Sequence, residues 1–248
     1  MDLGLAGRAY LVTGASSGLG RATAQALVDD GAFVAVSARS EKTILQTAEE
    51  LGDGAIGLVA DNGDPAAAAM LIERTVARFG RLDGLLVSVG GPPKLAFGAI
   101  DDDQWRSSFE TILLGTVRLI REALPVLKPG SAIALVLSSS VRTPITGLTL
   151  SNVFRPALAM LVKDLADELG PSGIRVLALV PGRIATPRTV ELDAGNPGAR
   201  ERSEASIPLR RLGEPSEFGR VAAFLLSPAA SYVTGSVIAI DGGMIRSL

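Results

Sequence analysis

Short apolar runs alternate with longer helical patterns along almost the whole chain, and this alternation constrains the fold more than any other feature. The runs are "AYLVT" (Ala9 to Thr13), "FVAVS" (Phe33 to Ser37), "AIGLVA" (Ala55 to Ala60), "LDGLLVS" (Leu82 to Ser88), "AIALVLS" (Ala132 to Ser138), "IRVLALVPG" (Ile174 to Gly182) and "SVIAID" (Ser236 to Asp241). Most are nearly continuous in apolar residues, the pattern of strands buried on both faces. The stretches between them have readable helix ends. "GRATAQALVDDG" closes at Gly31, and "EKTILQTAEELG" follows the second strand. A third helix has Asp64 as cap, Pro65 at its first position and Gly80 at its end. Asp101 to Asp103 place acids at the head of a long helix running through Leu127. Another helix runs to Leu169, and "PSEFGRVAAFLLS" precedes the last strand. Strand-helix alternation of this kind predicts an α/β fold: a parallel sheet covered by helices on both faces.

No repeat and no linker interrupts the pattern, so residues 1–248 read as a single domain, and 47% apolar content supplies its core. The least regular part is Thr186 to Arg210, charged and punctuated by Gly and Pro. It reads as a mobile lid or substrate-side insertion.

The chain contains neither Cys nor His. That excludes disulfides, thiolate nucleophiles, imidazole bases and the usual zinc ligand sets, and no metal site is expected. A net charge of -2 and few aromatics give no footprint for nucleic acid or anionic membrane. The start carries Asp2 and no basic segment ahead of a long apolar stretch, and no apolar run approaches the length of a membrane span. The expectation is a soluble cytoplasmic protein acting on a small molecule.

"TGASSGLG" (Thr13 to Gly20) leaves the first strand and opens the first helix. Glycines there permit a tight turn and close approach of backbone to a pyrophosphate, which the helix N-terminus attracts. This stretch resembles the cofactor signature of the short-chain dehydrogenase/reductase family. Other landmarks of that family fall in order: "ADNGD" with Asp61 at the adenine, "VPGRIAT" (Val180 to Thr186) along the nicotinamide, and the C-terminal "PLRRLGEPSEFGRVAAFLLS" and "YVTGSVIAIDGG". The resemblance extends from Met1 to Gly243. It implies a Rossmann-type doubly wound sheet of seven strands in the order 3-2-1-4-5-6-7. It also implies a cofactor site built from Gly14, Ser16, Ser17, Gly18, Leu19, Gly20, Asp61, Asn62, Ser88, Gly90, Pro181, Gly182, Ile184 and Thr186. At the end of the second strand Ala38 stands where an acid would hold the ribose of NAD, and Arg39 follows. A missing carboxylate beside an arginine favours the 2'-phosphate of NADP(H).

The family's catalytic Asn, Ser, Tyr and Lys do not carry over. By spacing, the Tyr position falls on Ser151, the Lys position on Arg155 and the Asn position on Ile112. The Ser position falls on Ser138, with Ser139 and Ser140 close enough to take its place. An aliphatic hydroxyl is a far weaker acid than a phenol, whose pKa is about 10, and the two tyrosines, Tyr10 and Tyr232, are not placed to substitute. Arg155 offers a permanent charge and a fixed fork of donors, for a ribose, an anion or a carbonyl oxygen; a surface or helix-end arginine with no such role is the alternative. Pro156 places the start of its helix near Ser151 or Asn152, which would make one of them an N-cap. Two functions remain: an NADP(H)-dependent oxidoreductase reducing a 3-oxoacyl-like carbonyl at an atypical site using Ser138, Ser151 and Arg155, or a catalytically inactive nucleotide-binding scaffold. The first is preferred, because the changed residues keep their spacing. The resemblance further implies a homotetramer, or failing that a homodimer.

Overall fold

Seven strands form one parallel sheet in the order β3-β2-β1-β4-β5-β6-β7 in a computed structural model that describes residues 2–194 and 197–247. The strands are β1 (Ala9–Thr13), β2 (Phe33–Ala38), β3 (Ala55–Val59), β4 (Gly84–Val87), β5 (Ala132–Val136), β6 (Arg175–Pro181) and β7 (Ser236–Ile240). Every pair is parallel, with Leu11 opposite Leu85 and Leu86 opposite Ala134 at the centre. Side chains alternate between faces along each strand. Tyr10, Val12, Val34 and Val36 therefore pack with the helices α1 (Gly18–Asp29), α2 (Glu41–Leu51) and α9 (Pro215–Leu226). Leu11, Leu85, Ile133 and Leu135 face α3 (Ala67–Phe79), α5 (Gly115–Ala123) and α6 (Thr149–Leu169). The expected α/β architecture and strand order are thus present.

Backbone proximity fixes the helix that matters most for the site. Gly219 in α9 lies so close to α1 that a methyl group on it would sit 2.3 Å from the carbonyl oxygen of Ala22. This contact sets α1 against the sheet with its N-terminus at the C-terminal edge of β1.

Three helical readings change. The long helix expected from Asp103 to Leu127 is α4 (Asp102–Ser108), a π-helical segment (Phe109–Leu114) and then α5. The Asn62 amide donates to the carbonyl of Thr111 at 2.8 Å, and such an acceptor outside the regular ladder is what a π segment offers. Next, α6 starts at Thr149, so Ser151 is its third residue and not a cap, and Pro156 lies inside the helix. Proline removes one donor there, while Leu150, Phe154 and Leu158 remain buried on both sides of it and hold the helix together. Asn152 instead braces the preceding loop, exchanging two hydrogen bonds with the backbone of Ile145. Finally, the stretch read as irregular, Thr186 to Arg210, contains α7 (Pro187–Asp193) and α8 (Ala199–Ser206); its Gly195 and Asn196 lie outside the described residues. Thr186 caps α7 by accepting from Thr189, Pro187 starts it, and Arg183 pairs with Asp193.

Candidate active site

The glycine turn is shaped by backbone contacts that admit no side chain. A methyl group on Gly14, which has φ +59°, would lie 2.3 Å from the carbonyl oxygen of Ser88. One on Gly20 would lie 2.5 Å from the carbonyl oxygen of Gly14. The ends of β1 and β4 are joined here, since Thr13 Oγ1 donates to Ser88 O and accepts from Ser88 N. Ser17 precedes α1 without a side-chain cap, and no acid occupies the first turn. The N–H groups and dipole of this helix end are therefore available to an anion, and the turn fits the pyrophosphate of a dinucleotide.

Gly14, Ser16, Ser17, Gly18, Leu19, Gly20 and Ser88 thus share one edge of the sheet. Gly90 follows Ser88 with open space around it. Pro181 ends β6, Gly182 lies against Asp241, and Ile184 is buried beside Gly213. Thr186 returns to the turn, its methyl 3.4 Å from where a side chain on Gly18 would begin. A cavity of about 470 Å³ borders the turn, lined by Ser16, Ser17, Gly18, Thr43, Thr47 and Glu50 among others. Arg39 is exposed just beyond β2 and makes no hydrogen bond or ion pair with any described residue. Asp61 is exposed after β3, where one carboxylate oxygen accepts from Gly63 N. Asn62 has its amide turned to Thr111, as described above.

At the C-terminal ends of β4 and β5 the catalytic positions come together unevenly. Ser138 uses its hydroxyl locally, accepting from Ser140 N at 3.1 Å to start the 3-10 turn Ser139–Val141. Ser140, and not Ser138, meets Ser151: their hydroxyls are 3.4 Å apart, and both residues are buried. Arg155 is 5% exposed, and its guanidinium donates to Val136 O at 2.7 Å and to Val89 O at 2.8 Å. Burial pulls its pKa well below the ordinary guanidinium range, down to about 10, so it stays protonated at neutral pH. Ile112 is buried in the core with no polar group to offer. Tyr10 is wholly buried in β1, its hydroxyl unpartnered and its pKa pushed up to about 12 by desolvation, while Tyr232 is fully exposed. Neither can act as the acid. The arrangement offers hydroxyls and a fixed buried cation.

Sequence reading missed how the loops around this edge are tied together. Arg188 of α7 donates to Pro92 O, linking the segment after β6 to the segment after β4. Leu95 N donates to Gly147 O, joining the loops after β4 and β5. These bonds join residues dozens of positions apart, and no local pattern announces them.

Comparison with known proteins agrees with this geometry. A family model described as enoyl-(acyl carrier protein) reductase matches residues 14–245. The chain is 33% identical to the 3-oxoacyl-(acyl-carrier-protein) reductase of Salmonella typhimurium, over 96% of this chain and 97% of that one. The crystal structure of a short-chain dehydrogenase/reductase of glucose/ribitol dehydrogenase type from Brucella melitensis superposes with a TM-score of 0.94 at 31% identity over the full length of both chains. The L-sorbose reductase of Gluconobacter frateurii, solved with NADPH and L-sorbose, superposes with a TM-score of 0.92 at 28% identity, again over both full chains.

Proposed function

The chain belongs to the short-chain dehydrogenase/reductase family of oxidoreductases, and from that premise we propose that it is an NADP(H)-dependent enzyme reducing a 3-oxoacyl-like carbonyl at an atypical site. The observation that carries this reading is the buried Arg155 at the ends of β4 and β5, a permanent cation beside the edge where the glycine turn opens. When bound, the dinucleotide supplies the hydride. The backbone of Gly14 and of Ser16 to Gly20 would hold its pyrophosphate, and Arg39 its 2'-phosphate. Asp61 and Asn62 would border the adenine. Ser88, Gly90, Pro181, Gly182, Ile184 and Thr186 would line the nicotinamide half.

In this reading Arg155 works by charge. Negative charge developing on the substrate oxygen is stabilised by a cation already fixed in a dry site, with no reorganisation at the moment of reaction. Ser138 and Ser151 contribute hydroxyl dipoles, and water supplies the proton that no side chain of phenol-like acidity can give. The relatives named above support the reaction class: one is a 3-oxoacyl reductase and another was solved with NADPH.

Calorimetry with NADPH and NADH, followed by an assay of NADPH oxidation across ketones and 3-oxoacyl thioesters, tests this reading. NADPH should bind at least tenfold more tightly, about 1.4 kcal/mol, and Arg39→Ala should remove the preference. Equal affinities would reject the cofactor assignment. Tight NADPH binding with no oxidation by any carbonyl would instead establish the nucleotide-binding scaffold.

A further inference from the structure

The centre of this site holds a cation and lacks an acid. Residues 88–100 after β4, 137–148 after β5 and 149–162 of α6 contain no Asp, Glu, Tyr, His or Cys. Glu191 and Asp193, in α7, are paired with Arg188 and Arg183. Lys94, the one lysine of those stretches, is exposed and lies along Gly147. The buried hydroxyls of Ser140 and Ser151 remain, and aliphatic hydroxyls are poor acids. A direct chain of bonds ties Arg155 to the glycine turn. Its guanidinium donates to Val89 O, and the adjacent Ser88 exchanges two bonds with Thr13 while its carbonyl oxygen lies against Gly14. Val136 O takes a second donor, and no other acceptor among the described residues bonds the group. A guanidinium has about five N–H donors, so others stay open to a substrate oxygen.

A hydride donor at this edge selects its acceptor by the charge that results. Addition to a carbonyl carbon places a full negative charge on one alkoxide oxygen, a strong base that needs a proton as it forms. A positioned acid is worth roughly 10²–10⁴ in rate for such a step, and this site has none. Addition to an iminium carbon needs no proton, but that substrate is itself a cation. Arg155 is buried, and no carboxylate among the described residues pairs with it to offset the repulsion. Addition to the β-carbon of an α,β-unsaturated carbonyl compound gives an enolate. Its charge is shared between the oxygen and the α-carbon, and its oxygen is a much weaker base than an alkoxide. No proton moves in the hydride step, and a cation fixed in a dry site stabilises the anion that forms.

We propose that this site reduces α,β-unsaturated carbonyl compounds at the carbon-carbon double bond, by hydride addition to the β-carbon, in preference to the carbonyl itself. This rests on the oxidoreductase reading above and adds an activity at the same site. The β-carbon takes a hydride with its electron pair from the dihydronicotinamide. The π pair of the double bond moves to join the α-carbon to the carbonyl carbon, and the carbonyl π pair moves to oxygen, where Arg155 holds the charge. Water then protonates the α-carbon, the carbonyl re-forms, and hydroxide is left to the solvent. The double bond is reduced to a single bond and NADPH is oxidised to NADP+.

The test gives matched probes to the NADPH-loaded protein: cyclohex-2-enone against cyclohexanone, 4-phenylbut-3-en-2-one against 4-phenylbutan-2-one, and the but-2-enoyl against the 3-oxobutanoyl thioester of N-acetylcysteamine. The unsaturated member of at least one pair should show a kcat/KM about tenfold or more above its partner. Its product should be the saturated carbonyl compound, and NADPH deuterated at the transferred position should leave its label on the β-carbon. Rates within that margin in every pair, faster use of the saturated or 3-oxo member, or an allylic alcohol as product would overturn the proposal and leave the oxidoreductase reading standing. No reduction of any probe by protein that binds NADPH would remove both. Arg155→Met, checked by circular dichroism and NADPH calorimetry, should lower kcat for the unsaturated probe about tenfold or more. Arg155→Lys, which keeps the charge, should restore most of that loss, and Lys94→Met should leave the rate unchanged. An unchanged rate in folded Arg155→Met, or a loss in Lys94→Met, would overturn the acid-free step. Should Arg155→Met not fold, product identity and the position of the label in the wild type decide alone.

Discussion

Arg155 shows how far a single residue can be read before its surroundings are known. The spacing of four from Ser151 identifies the position, and the residue type identifies a permanent charge. That the guanidinium spans Val89 O and Val136 O follows only from the meeting of β4, β5 and α6. The serines behave in the same way. Sequence leaves Ser138, Ser139 and Ser140 interchangeable; the 3-10 turn turns Ser138 into its cap and sets Ser140 against Ser151. A stability measurement separates the two sides of Arg155. Arg155→Met removes two hydrogen bonds from a charged donor, each worth about 1.5–3 kcal/mol, but also removes the cost of burying the charge. The bonds should win, with a net loss of about 1–3 kcal/mol in urea unfolding. The pH dependence has a definite sign. The folded pKa of about 10 lies below the ordinary guanidinium value, so between the two the unfolded chain holds the proton more firmly. Burial of the charge opposes folding fully below about 10, and that opposition fades as pH rises toward the ordinary guanidinium value. The advantage of the wild type over Arg155→Met should be level through neutral pH and widen at the alkaline end; an advantage that shrinks there would contradict the assignment.

At the scale of elements, the strands were legible and the helices only partly so. A strand buried on both faces declares itself by composition, and the seven apolar runs matched the seven strands to within about two residues at each end. The glycine turn was equally plain, because strand, turn and helix are contiguous. The break in the long helix before β5 was not visible, since it involves Asn62 and Thr111, which are 49 positions apart. Pro156 misled for a related reason: a proline inside a helix is tolerated only through packing that lies elsewhere in the chain. The same junction gives a sharp test. Gly115 opens α5, and a methyl group on it would sit 2.0 Å from the carbonyl oxygen of Asn62 and 2.7 Å from that residue's amide nitrogen. Its φ is helical at -61°, so alanine would otherwise favour the helix there. Steric exclusion should dominate, and Gly115→Ala should destabilise by about 2–4 kcal/mol in denaturant unfolding. A midpoint equal to or above the wild type would show that the turn after β3 yields without cost.

The surface of the whole molecule poses a problem that one chain does not solve. Phe109, Val153 and Met160 are 40%, 48% and 70% exposed, on the π segment and α6. β7 closes the sheet as an edge strand, with Tyr232 fully exposed just before it and Leu209 63% exposed near the chain's end through Gly242. Parallel sheets leave unpaired backbone at such an edge, and proteins cover or blunt it. Exposed apolar side chains scattered singly need no explanation, but two groups on separate surfaces fit two isologous contacts, the arrangement that builds a dimer of dimers. The wild type should therefore run as a tetramer in light scattering at micromolar concentration. Met160→Glu should lower that mass to a dimer or monomer, because a carboxylate brought against its own symmetry mate is repelled and desolvated together. Its side chain touches little within its own subunit, so the secondary structure seen by circular dichroism should stay unchanged. A wild type of monomer mass would remove the need for either contact, and an undiminished mass for Met160→Glu would move the interface away from α6.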